Sequence, residues 1–125
     1  MSDFPHILIA EDEDLVAMVV AETLEAEGFR VTIARNGLET VEADAADPAD
    51  LLLTDMRMPV MSGNALIRII RQRRPDLPII VTTGYSEHLP DEDPGRLVIL
   101  RKPYSLSVLT PMIFALLSGR TAPAS

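Results

Sequence analysis

The chain has 125 residues, 47% of them hydrophobic and 24% charged, with a formal net charge of −8 and a pI near 4.6. That is the size of one domain, with enough apolar residues to build a core. The acidic balance argues against a general nucleic-acid binder, which needs a basic face to meet phosphates, and the lack of cysteine excludes disulfides, thiolate zinc sites and cysteine nucleophiles.

In chain order, apolar runs alternate with helix-period segments. His6 to Ala10 is a short apolar run that stops at Glu11-Asp12-Glu13-Asp14. A helical segment follows from Leu15 to Ala26, with Asp14 expected as its N-cap and Gly28 as its C-cap. Arg30 to Ala34, with β-branched Val31, Thr32 and Ile33, reads as a strand, and Asn36-Gly37 as a turn. Leu38 to Ala46 is helix-like and ends before Pro48. Asp50 to Thr54 is the next apolar run, and it too stops at an acid, Asp55.

Gly63 to Arg74 carries Leu66, Ile67, Ile69 and Ile70 at helical spacing, and its basic end (Arg68, Arg71, Arg73, Arg74) suits a helix C-terminus. Ile79 to Thr83 is a further strand. Gly84 to Gly95 holds Pro90, Pro94 and few core candidates. Arg96 to Leu100 completes the strands, Lys102-Pro103 follows, and Ser105 caps a final helix ending at Leu117. The expected domain runs over 5–118, with loose termini at 1–4 and 119–125. The start of the chain lacks the basic and apolar regions of a signal peptide, and no apolar run approaches the about 20 residues that span a bilayer. The expectation is a cytoplasmic protein with no membrane or nucleic-acid partner, a monomer or weak dimer.

Continuous apolar strands separated by helices imply an α/β fold: a doubly wound five-stranded parallel sheet covered on both faces. In such sheets the functional crevice lies outside the carboxyl ends of the strands. The residues at those ends are Glu11 and Asp12, Asp55, Thr83 and, one step further, Lys102.

Each of these has an ordinary explanation when taken alone. An acid after a strand is usually a turn residue, an acidic pair is usually solvated, and Thr83 is a β-branched strand residue. Lys102 alone is a surface charge. Met56, Met58 and Met61 read as packing, and His6 and His88 have no partner pattern. The joint placement carries the case. Crowded carboxylates repel, and a hard divalent cation relieves them. Mg²⁺ (or Mn²⁺) takes oxygen ligands and keeps several waters. Asp12, Asp55 and the main-chain carbonyl of Arg57 can supply three positions, with Glu11 acting directly or through water. Such a site suits phosphoryl transfer with a carboxylate as nucleophile. Lys102 offers a compact positive charge, Thr83 a hydroxyl donor, and Gly84 room for close approach.

The stretches Ile7–Asp12, Leu51–Pro59 with Gly63, Ile80–Gly84 and Lys102-Pro103-Tyr104 resemble the receiver domain of two-component response regulators. The resemblance runs from about Pro5 to Leu117. It implies a flavodoxin-like (βα)5 fold in which Asp55 takes a phosphoryl group from a sensor histidine kinase or a histidine phosphotransfer protein. It implies Mg²⁺ beside Asp55, with Glu11 and Asp12 as the acidic pair, Asp12 the more direct ligand, and Arg57 giving its carbonyl. Thr83 and Lys102 would contact the phosphoryl group. The implied domain is a phosphoacceptor that switches protein contacts, not an enzyme beyond its own phosphotransfer and autodephosphorylation.

Three departures stand out. Glu11 occupies a position where Asp is commoner. The usual aromatic switch position holds Ile99, leaving Thr83, Tyr85 and Ile99 as the switch candidates. The interval from Thr83 to Lys102 is about one helical turn shorter than typical, and proline costs about 3 kcal/mol inside a helix. A short, irregular or mobile fourth helix is therefore expected between the last two strands. Thr82 to Ser86 also resembles receivers attached to hybrid histidine kinases.

Residue chemistry disfavours three other functions. A haloacid-dehalogenase-type phosphohydrolase needs a second acid two residues after its nucleophile, where this chain has Arg57. A flavodoxin-like flavin binder needs a phosphate-cradling loop after the first strand, where this chain has four acids. A degenerate receiver used only for binding would not keep Glu11, Asp12, Asp55, Thr83 and Lys102 together. No effector sequence follows Leu117, so no DNA-binding output is expected from this chain.

Overall fold

The computed structural model describes residues 4–84, 90, 92–93 and 95–118. Five strands, β1 (His6–Ala10), β2 (Arg30–Ala34), β3 (Leu51–Asp55), β4 (Ile79–Thr83) and β5 (Leu97–Arg101), form one parallel sheet in the order β2-β1-β3-β4-β5. This is the flavodoxin-like winding. The helices among the described residues are α1 (Asp14–Ala26), α2 (Gly37–Ala46), α3 (Gly63–Arg73) and α4 (Leu106–Leu117). None is long and apolar enough to cross a membrane.

The two-residue period of the strands splits the interior into two cores. Ile7, Ile9, Leu51, Leu53, Ile80 and Leu100 face one way, against Val20 and Leu24 of α1 and Leu109, Met112 and Ile113 of α4. Leu8, Leu52, Ile79, Val81 and Leu97 face the other way, against Val41 of α2 and Leu66, Ile67 and Ile70 of α3. Neither face of the central strands meets water, which is why they read as unbroken apolar runs.

Local chemistry sets the ends. Gly28 sits at φ +95°, the left-handed step that lets the chain leave α1. Asn36 is more than a turn residue: its side chain accepts from the Glu39 N–H at 2.9 Å and caps α2. Ser105 caps α4 as expected, accepting from Ser107 N–H, and Ser62 does the same for α3.

The structure corrects several boundaries. The N-cap of α1 is Glu13, with no side-chain capping bond; Asp14 lies inside the first turn and pairs with Arg35 at 3.4 Å. Asp50 precedes β3, its carboxylate accepting the His6 N–H at 2.7 Å. β5 starts at Leu97 rather than Arg96 and runs on to Arg101.

Between β4 and β5, the described residues Pro90, Glu92, Asp93 and Gly95 carry no helix. Asp93 instead forms an antiparallel bridge with Leu97, and the Glu92 carboxylate accepts the Ile99 N–H at 2.9 Å. Residues 85–89, 91 and 94 of the expected fourth helix lie outside the described residues, as do 1–3 and 119–125 of the expected loose termini.

Candidate functional site

Parallel strands deliver their last residues to one edge. There β1 ends at Ala10 and is followed by Glu11 and Asp12, β3 ends on Asp55, β4 on Thr83, and Lys102 follows β5. The Lys102–Pro103 peptide is cis. Backbone bonds lock the strand ends together: Met56 N–H donates to Thr82 C=O at 3.1 Å, and Lys102 N–H to Thr83 C=O at 2.7 Å.

The carboxylates of Glu11, Asp12 and Asp55 converge, with one oxygen of each lying within 4.8 Å of the others. Glu11 and Asp55 are buried and Asp12 is exposed. Lys102 Nζ lies 3.2 Å from one Asp55 oxygen, and the Arg57 N–H donates to the other at 3.3 Å. An open cleft of about 640 Å³ meets them, lined by Asp12, Asp55, Arg57, Gly84 and Lys102.

Burial and the Asp55 charge push the Glu11 carboxyl up to about 6, although the Glu13 N–H, donating to Glu11 at 3.1 Å, works the other way. Burial works to lower Lys102, but the charge and hydrogen bond of Asp55 outweigh it and hold the ammonium above its ordinary value. Burial raises the Tyr104 hydroxyl as well. One lysine thus faces three carboxylates, and the local charge is negative.

A hard cation fits this donor set. Octahedral Mg²⁺ at about 2.1 Å from its ligands holds oxygens at most about 4.2 Å apart, a span that small side-chain adjustments reach from the observed cluster. Arg57 lies on the cleft wall where its backbone passes Asp55.

Of the expected residues, Glu11, Asp12, Asp55, Arg57 and Lys102 come together. Thr83 is 1% exposed at the end of β4, and its neighbour Gly84 lines the cleft. Ile99 packs against the α2–α3 core and lines a groove outside β5 instead. Tyr85 lies outside the described residues.

Sequence reasoning missed a lower tier. Beneath the acids is a void of about 10 Å³, lined by Glu11, Thr54, Asp55, Thr82 and Tyr104 among others. Thr82 pairs with Asp55 in the β3–β4 register. The two-residue period of a strand carries that signal, because partners in register share a face.

A doubly wound sheet with acids and a lysine at its carboxyl edge is the architecture of a receiver domain. The family profile described as response regulator receiver domain matches residues 7–113, and the chain belongs to this family. It is 36% identical over 116 residues to YkoG of Bacillus subtilis, an uncharacterized transcriptional regulatory protein, covering 90% of this chain and 50% of YkoG. It is 32% identical over 120 residues to the sensor kinase CckA of Brucella abortus, covering 90% of this chain and 12% of CckA.

Solved structures agree. A response regulator receiver protein from Sinorhizobium medicae superposes with a TM-score of 0.79 at 28% identity, covering 93% of this chain and 96% of that one. The receiver domain of the hybrid histidine kinase CckA gives 0.75 at 30% identity, covering 90% and 98%. The chain spans about half the length of YkoG and far less of the kinase. Receiver domains are signalling phosphoacceptors, not conventional enzymes. They interact with histidine kinases or phosphotransfer proteins, and generally bind Mg²⁺ at an acidic pocket.

Proposed function

We propose that this chain accepts a phosphoryl group on Asp55 from the phosphohistidine of a sensor histidine kinase or a histidine phosphotransfer protein, and that the modification switches its protein contacts. The observation that carries this reading is the Asp55 carboxylate, held between Lys102 Nζ and the Arg57 N–H at the floor of an open cleft, with Glu11 and Asp12 beside it.

In the transfer, an Asp55 oxygen attacks phosphorus, a P–O bond forms and the P–N bond to the donor imidazole breaks. The imidazole nitrogen keeps the electron pair and takes a proton from solvent. Asp12, Asp55, the Arg57 carbonyl and Glu11, directly or through water, would hold Mg²⁺. An ion held there would offset charge on the phosphoryl oxygens. Lys102 lies within reach of a second phosphoryl oxygen and compensates the charge that Asp55 gives up to the new bond. Thr83 supplies its hydroxyl to a third, which requires it to turn toward the cleft. Hydrolysis of the acyl phosphate by water returns the domain to its resting state.

Arg57 also bears on the phosphohydrolase alternative. A cation lines the cleft where that chemistry requires a second acid.

The test is Mg²⁺ with acetyl phosphate, read by intact mass. One base- and hydroxylamine-labile phosphoryl group is expected on wild type and none on Asp55→Asn. Equal labelling of the two removes the assignment.

A further inference from the structure

Of the switch candidates besides Thr83, position 99 holds isoleucine, and Tyr85 lies outside the described residues. Tyr104 is different. It lines the small void under Glu11 and Asp55 and also the groove of about 470 Å³ outside β5, whose walls include Glu92, Ile99, Arg101 and Val108. Among the described residues, no other residue lines both spaces. The ring is half-buried against the α1–α4 core, and it follows Lys102 by two residues in a chain segment tied to Thr83. Its hydroxyl feels the charges of Lys102, Glu11 and Asp55.

We propose that Tyr104 is a positioning residue for Asp55: its ring is the wall between the void beneath the acids and the outer groove, and it transmits packing changes from either side to the other. The inference rests on the Asp55 reading. A void near the size of one water leaves the ring space to shift without displacing close-packed neighbours. Loading the site pulls on Asp55 and Lys102, and the ring settles differently against them. By reciprocity, an occupant of the groove alters the readiness of the site. The bulk of the ring carries this coupling, so phenylalanine should preserve it and alanine should not.

The experiment compares wild type, Tyr104→Phe and Tyr104→Ala. Acetyl phosphate labelling should slow about tenfold in Tyr104→Ala and stay within about twofold in Tyr104→Phe. Amide exchange over residues 97–108 should change about threefold on adding Mg²⁺ and beryllium fluoride in wild type and Tyr104→Phe, and hardly at all in Tyr104→Ala. An undiminished response in Tyr104→Ala overturns the inference. So does a labelled wild type whose 97–108 amides ignore the ligand, and that result leaves the Asp55 reading intact. A wild type that takes no label overturns both readings.

Should Tyr104→Ala fail to fold, a Tyr85→Phe chain decides. With no tryptophan and two tyrosines in the native sequence, its remaining tyrosine is Tyr104. A change in tyrosine emission on adding Mg²⁺ and beryllium fluoride supports the inference, and constant emission overturns it.

Discussion

The two ends of the sheet are both rich in charge, yet they are wired differently. At the amino end, charged groups have fixed partners. Asp44, buried in α2, accepts from Arg74 at 2.7 Å and from the Ala49 N–H at 2.9 Å. Arg30 grips Asp47 with two bonds. Arg71 donates to the carbonyls of Leu77 and Arg96. His6, 1% exposed, lies with Nδ1 3.2 Å from the Pro48 carbonyl and Nε2 2.7 Å from the Thr32 hydroxyl. The carbonyl can only accept, so Nδ1 carries the proton.

At the carboxyl end, three carboxylates share one lysine. Paired charges staple elements together. Charges left in excess wait for something to arrive.

The largest expected effect at the carboxyl end comes from that arrival. With free Mg²⁺ at a hundred times its Kd, wild type should gain about 2.7 kcal/mol against denaturant, and Asp55→Asn far less. Equal gains in both would mean that the cation sits elsewhere. At the amino end, Asp44→Ala should cost about 2 kcal/mol by leaving the buried Ala49 N–H without its acceptor, and by the same amount with or without Mg²⁺. Urea melts in EDTA and in Mg²⁺ check both statements. A cost that depended on Mg²⁺ would show that the two ends are energetically joined.

The smallest effect is one of pH. Glu11 titrates near 6 in the folded chain, above its ordinary 4.5. The folded state therefore holds that proton more tightly than the unfolded one, and the benefit, full below 4.5, is lost as pH rises through 6. In EDTA, Glu11→Gln should match wild type near pH 4.5 and exceed it above pH 6 by about 1 kcal/mol, a figure reduced for screening by water in the open cleft. A constant difference across that range would mean that Glu11 is not under strain.

Much of this was legible beforehand, for a physical reason. Both faces of the sheet are covered, so its strands appear as apolar runs, and their ends point to the site without knowledge of any contact. Glu11, Asp12, Asp55, Thr83 and Lys102 are read in that way, and Arg57 by its place just after Asp55. What escaped depends on what the fold brings together. Asp14 has the right chemistry for a cap, but the backbone turns one residue earlier, and the Glu11 carboxylate takes the Glu13 N–H.

The pairs Asp44–Arg74 and Arg30–Asp47 join residues 30 and 17 positions apart, and no local pattern announces them. His6 had no visible partner because its partners come from β2 and from the turn before β3. Tyr104 was visible only as the residue after Lys-Pro, since the void it borders is made with residues of three strands and of α1.

The cover on β5 has a consequence of another kind. An outermost strand offers its amides to any passing strand, and rows of such offers are how chains zip into fibres. Here the Leu97 N–H is taken by the Asp93 carbonyl at 2.6 Å and that of Ile99 by the Glu92 carboxylate. A second copy trying to extend the sheet would have to evict a backbone partner and bring its own carbonyls up against a negative charge. Glu92 and Asp93, by holding these two amides, thus also blunt the edge against pairing with a second copy.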